Sequence, residues 1–163
     1  MRRFQLFISF LLLAVLLLGC EKETIPEKGD FSVSLPEGYS LSNVTDKTCD
    51  ILRSDGTLVG GMVLTEISPK DMKRDCDSPA VARYLDSVAG LENMSEYFSW
   101  LGEEPDYPTL YMDHYITNSE TQEKTTYKRV IFVRDGGVYD LWFDLQVMDK
   151  EDVPNFYSIV EGE

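Results

Sequence analysis

The sequence predicts an α/β domain of the α+β kind, a mostly antiparallel sheet of about six strands with helices packed on it. Three observations carry this prediction. Short apolar runs of period two recur between Phe31 and Met148, one apolar stripe of helical period lies among them, and Asp-Gly pairs sit between neighbouring runs. The resulting order of strands, helix, strands and helix is that of an antiparallel sheet with helices laid against it.

Residues 31–35 (Phe-Ser-Val-Ser-Leu) alternate with period two and read as a half-buried first strand, which Pro36-Glu37-Gly38 ends. A hairpin follows, from Ile51-Leu52-Arg53 through Asp55-Gly56 into residues 58–67. Both alternating faces of 58–67 are largely apolar, with Leu58, Met62 and Leu64 on one and Val59, Val63 and Ile67 on the other. Such a strand is covered on both sides, which places it centrally. Gly60 and Gly61 inside it mark either a bulge or a close backbone approach, and the bulge is the preferred reading.

The helix has clear end signals: Ser78 as N-cap, Pro79 at the first helical position and Gly90 to close it. Val81, Tyr84, Leu85 and Val88 fall on one face between them and face the core. Residues 95–101, with Tyr97, Phe98 and Trp100, read as a second short helix, followed by an acidic, proline-bounded loop over 102–108. Three strands complete the sheet, at Thr109–Thr117, 125–134 and 138–148, the last two joined through Asp135-Gly136-Gly137. Asp152 caps a final helix through Phe156, Tyr157 and Val160 that Gly162 ends.

This order, with an aromatic first strand running into Pro36-Glu37-Gly38-Tyr39, looks like the PsbP-like α/β/α sandwich. It also resembles small lipoproteins of Gram-positive bacteria. The resemblance implies an accessory or scaffolding role beside a membrane complex and brings no catalytic residue with it. A cystatin-like sheet wrapped on one helix is the alternative fold.

The N-terminus is a separate signal. Arg2 and Arg3 precede a run over 4–18 whose only polar residues are Gln5 and Ser9. That is the layout of a secretory signal, and its apolar part is shorter than the roughly 20 residues a spanning helix needs. Leu17-Leu18-Gly19-Cys20 at its end resembles the lipobox of bacterial lipoproteins. The resemblance implies cleavage after residue 19, acylation of Cys20, and a bacterial envelope protein lipid-anchored to the membrane on its extracytoplasmic side. Residues 20–30, charged and aperiodic, then read as a flexible tether, and 31–163 as a single domain.

After residue 19 the chain has 144 residues, with thirteen basic against 29 acidic ones, a formal charge of −16. Nucleic-acid binding is excluded on that balance, because phosphate needs clustered Lys and Arg. Cationic ligands, divalent metals or a basic protein surface fit better, and an acidic surface alone keeps an exported protein soluble. Besides Cys20 there remain Cys49 and Cys76, an even pair. They form either a disulfide, closing a loop of roughly 27 residues worth about 3–4 kcal/mol, or two buried thiols.

Residues with chemistry are few. His114 is the only histidine, and it shares a strand face with Leu110, Met112 and Ile116 while Asp113 points the other way, so it reads as core. On the last strand Asp140, Trp142 and Asp144 share a face, a tryptophan between two carboxylates that suits a cation. Arg129 or Lys128 on the preceding strand is the competing partner. A two-residue Asp135-Gly136 turn sets Arg129 opposite Trp142, whereas a three-residue turn sets Lys128 opposite Asp144.

Two acidic clusters are candidate Ca²⁺ ligands, Asp71 with Asp75 and Asp77, and Glu103 with Glu104 and Asp106, and neither has the EF-hand pattern. The chain carries no Gly-x-Ser-x-Gly, His-Glu-x-x-His or Walker loop. The functional expectation is therefore a lipid-anchored binding or accessory module without catalysis or cofactor, acting on a neighbouring membrane or envelope protein. Its surface is the face around Trp142 or the acidic loop at 103–106. A lipoprotein that grips a small cationic ligand or Ca²⁺ is the alternative, and a hydrolytic enzyme using His114 or the aspartate pair comes last.

Overall fold

The computed structural model describes residues 26–72, 78–89, 96–100, 109–118, 120–149 and 151–152. Among them the elements are strands β1 (Tyr39–Ser42), β2 (Thr48–Arg53) and β3 (Leu58–Leu64), a 3₁₀ turn (Pro69–Asp71) and helix α1 (Pro79–Ala89). Strands β4 (Glu96–Trp100), β5 (Thr109–Thr117), β6 (Lys124–Arg134) and β7 (Gly137–Asp144) follow. All seven strands form one sheet in the order β1-β2-β3-β7-β6-β5-β4, and every neighbouring pair is antiparallel. Two meanders, β1–β3 and β4–β7, are thus sewn together by the β3–β7 pair. The chain between β3 and the edge strand β4 has to cross the sheet, and α1 lies in that crossover.

The expected class, an α/β domain with a mostly antiparallel sheet, is what the chain forms, with one α-helix among the described residues. Each face of the sheet has its own core. Ile51, Met62, Leu64, Val130, Phe132, Tyr139, Leu141 and Phe143 point to one face, and no helix covers it among the described residues. Phe31, Val33 and Leu35 pack on it from the N-terminal side, and Leu145, Val147 and Met148 from the far end of β7. The other face carries Leu110, Met112, Ile131 and Val138 under α1, whose Val81 and Leu85 are buried. Burying each of these two side chains contributes about 1.5–3 kcal/mol.

Residues 31–35 correct one expectation. Their burial alternates as their sequence does, and Phe31 is buried edge-on against Tyr139 at 6.0 Å, yet they form no strand. The segment lies across the face of the sheet, so its polar groups go to side chains. Ser32 N–H donates to Asp30 Oδ1 at 2.9 Å, and Ser32 O accepts from Arg134 Nη1 at 3.0 Å. The first strand is instead Tyr39–Ser42, where Leu41 packs on the core and Ser40 is exposed.

The second helix expected at 95–101 is also corrected, because Glu96–Trp100 pairs with β5 as an edge strand. Tyr97, Phe98 and Trp100 are strand formers, and a five-residue stretch is too short for helical period to outweigh that preference. Strand β3 stops at Leu64, three residues early, where Thr65 N–H and its Oγ1 both turn to Val138 O. Strand β7 stops at Asp144, where Met148 N–H turns back to Asp144 O at 3.1 Å. Strand β5 and the N-terminal end of α1 fall where the sequence set them. The final helix, the acidic loop at 103–106 and the signal segment lie outside the described residues.

Candidate functional site

The site is built on the β6–β7 hairpin. Asp135 and Gly136 both have positive φ, 48° and 76°, the conformation of a two-residue type I′ turn. Arg134 therefore pairs with Gly137, and Arg129 stands opposite Trp142 with Asp140 and Asp144 on its diagonals. This is the first of the two registers the sequence allowed. Lys128 consequently faces the other side, where it pairs with Asp113 of β5 at 3.3 Å.

Arg129 Nη1 donates to Asp140 Oδ2, and Tyr84 of α1 donates its hydroxyl hydrogen to the same oxygen at 2.7 Å. Asp140 has no exposed surface and Arg129 retains only 8%. Burial raises the Asp140 carboxyl above its ordinary value, while Arg129 and Tyr84 act against that rise. Tyr84 is raised in turn, first by burial and then by the charge of Asp140. A carboxylate so held is neither an open base nor a free cation ligand.

Beside this triad lies an aromatic row. The His114 ring stacks on Tyr127 at 5.2 Å and 16°, and Tyr127 meets Trp142 edge-on at 6.1 Å. His114 is fully buried, and neither ring nitrogen has a hydrogen-bond partner. Burial first, then the nearby Arg129 charge, lower its pKa from 6.5 to about 4. Arg129 Nε and Asp140 Oδ1 are likewise buried without partners. His114 is the core residue its strand face implied.

Trp142 is half-buried and lies over β3, its Nε1 only 3.1 Å from where a Cβ on Gly61 would stand. A Cβ on Gly60 would collide with Trp142 O. The glycines thus serve close approach, and the register also shifts between Ile51 and Leu52 so that Val59 is the extra residue beside them. Both sequence readings of this pair describe the strand. Asp144 is half-buried and accepts the Gln146 N–H at 2.9 Å.

The structure thus brings Arg129, Asp140, Trp142 and Asp144 together but removes Asp140 from the expected cation grip. Tyr84 is the member that sequence reasoning missed. Its signal was a hydroxyl on an otherwise apolar helix face, which needs a partner once buried. Among the described residues no group of three or more His, Cys, Asp or Glu is placed to hold a metal ion. Asp71 ends the 3₁₀ turn, while Asp75, Asp77, Glu103, Glu104 and Asp106 lie outside the described residues. Cys49 is a buried free thiol whose pKa burial raises, and Cys76 and Cys20 lie outside the described residues. No protein-family model matches the chain, and no curated protein matches it significantly.

Proposed function

We propose that the chain is a lipid-anchored binding or accessory module of the bacterial envelope, acting without catalysis on a neighbouring membrane or envelope protein. Cys20 is its anchor and the strand face around Trp142 its contact surface. The observation that supports this reading is the state of Trp142. It stays half-buried on a paired strand, backed by Gly61 and Tyr127, while Arg129 neutralises Asp140 beside it and Asp144 keeps its charge. A rigid aromatic held in place by its neighbours is what the centre of a protein interface requires, and the Asp144 carboxylate suits its polar rim. A PsbP-like sandwich, with its accessory role at membranes, is the finer fold reading we attach to this function.

The cation-binding alternative keeps only Trp142 and Asp144, because Asp140 is occupied by Arg129 and Tyr84. Two groups fall well short of the six or more oxygens a hard cation takes.

Crosslinking of the anchored chain in its native membrane, followed by isolation and mass spectrometry, tests the proposal. One reproducible partner is expected, and Trp142→Ala is expected to abolish its capture while leaving the fold intact. Absence of any partner, in a preparation from which a known complex is recovered, overturns it.

A further inference from the structure

The chain enters the domain at one end of the sheet and is fastened there. Lys47 Nζ donates to Pro26 O at 3.0 Å, and Gly29 N–H donates to Asp46 O at 2.8 Å. Asp30 N–H reaches the Tyr139 hydroxyl at 2.9 Å, and Pro26 lies beside Gly137. The described part of the expected tether, residues 26–30, is therefore docked on the domain. This end also holds the β1–β2 loop with Val44, 58% exposed, and the Asp135-Gly136 turn. The opposite end holds the Asp55-Gly56 turn and the β5–β6 loop around Glu120.

From Cys20 to Pro26 the chain takes six steps, which span at most roughly 21 Å when fully extended. Strand β6 runs ten steps from Arg134 to Lys124, roughly 33 Å at strand rise. Turning the far end toward the bilayer would carry Pro26 beyond the reach of its own anchor. Charge does not separate the two ends, since Arg53 pairs with Asp55 and Asp149 at the far one and the near one carries Asp46 and Asp135, so the reach of the tether alone sets the orientation.

We infer that the domain stands on the bilayer with the β1–β2 loop against the lipid surface, Val44 touching it, and the Glu120 loop directed away. The inference rests on the proposed acylation of Cys20. It also sets the height of the contact surface. Trp142 lies five residues along β7 from Gly137, roughly 17 Å further from the membrane. The partner is then a protein whose extracytoplasmic surface reaches within roughly 20 Å of the bilayer, the strand rise from Gly137 to Trp142 and the loop beneath it.

The test uses the full chain in vesicles of phosphatidylethanolamine and phosphatidylglycerol. A photoreactive phenylalanine analogue is placed at Val44 or, separately, at Glu120, both exposed loop positions. Lipid adducts are expected at Val44, several-fold above those at Glu120. Intact mass of the same samples reads whether Cys20 carries lipid. An acylated chain with equal adducts, more adducts at Glu120 or none at either position overturns the orientation alone. A chain with no lipid on Cys20 overturns the anchor and the orientation with it.

Discussion

Arg129 and Asp140 form a buried ion pair across the diagonal of the β6–β7 hairpin, and Tyr84 ties the crossover helix to the same carboxylate oxygen. One charged contact therefore joins two elements of the sheet to the layer above it. Such pairs add little net stability when intact, yet removing one partner strands a buried charge. Arg129→Ala is expected to destabilise the domain by about 3–5 kcal/mol. Tyr84→Phe removes one donor and is expected to cost about 1–2 kcal/mol. Urea denaturation checks both, and an Arg129→Ala loss under 1 kcal/mol would contradict the burial of Asp140.

His114 makes stability depend on pH with a definite sign. Its folded pKa lies near 4 against 6.5 for the free side chain, so below 6.5 the unfolded chain binds the proton first. Stability from this group is complete above pH 6.5 and drains away as pH falls toward 4, by about 3 kcal/mol in total. Asp140 has the opposite sign, since its raised pKa lets the folded state take up a proton earlier. Comparison of the parent with His114→Leu isolates the histidine. The variant is expected to lose the decline between pH 6.5 and 4. At pH 7 it is expected to be as stable or about 1 kcal/mol more stable, because the two ring nitrogens have no partners to lose.

Gly61→Ala probes the contact under Trp142. The added methyl would lie 2.8 Å from Cys49 O and 3.1 Å from the indole nitrogen. Destabilisation of about 1–3 kcal/mol is expected, with a shift in tryptophan emission as the indole is displaced. Unchanged emission would mean that the indole does not rest on β3.

Cys49 decides the thiol question by its reactivity. Burial raises its pKa and shields it, so alkylation of the native chain at pH 7 is expected to fail at this residue. Denaturation without reductant should make it react at once. Reaction only after reduction would instead reveal a bridge to Cys76.

Sequence patterns read burial more faithfully than hydrogen bonding here. Phe31, Val33 and Leu35 face the core as their alternation implied, but alternation cannot say whether a segment joins the edge of a sheet or crosses its face. Residues 96–100 were lost between periods, because three aromatics in five residues fit a helix face and a strand equally well. At the site, the Asp-Gly pair left two registers open, and the choice lay in whether Gly137 belongs to the turn or the strand. The partnership of Arg129 with the carboxylates was legible from either register. The contribution of Tyr84 was not, since it comes from an element 56 residues away whose placement no local pattern fixes.

The pairing of β3 with β7 has a kinetic consequence. Each meander is made of neighbouring hairpins and can form from local encounters, whereas the seam joins Leu58–Leu64 to strand residues about 80 positions further along the chain. Closing so large a loop is the entropically unfavourable step of assembly. Substitutions in the seam, such as Met62→Ala, are therefore expected to slow refolding. Substitutions in the outer β1–β2 hairpin, such as Leu41→Ala, are expected chiefly to hasten unfolding. The two glycines that admit Trp142 thus mark where two independently formed halves become one molecule.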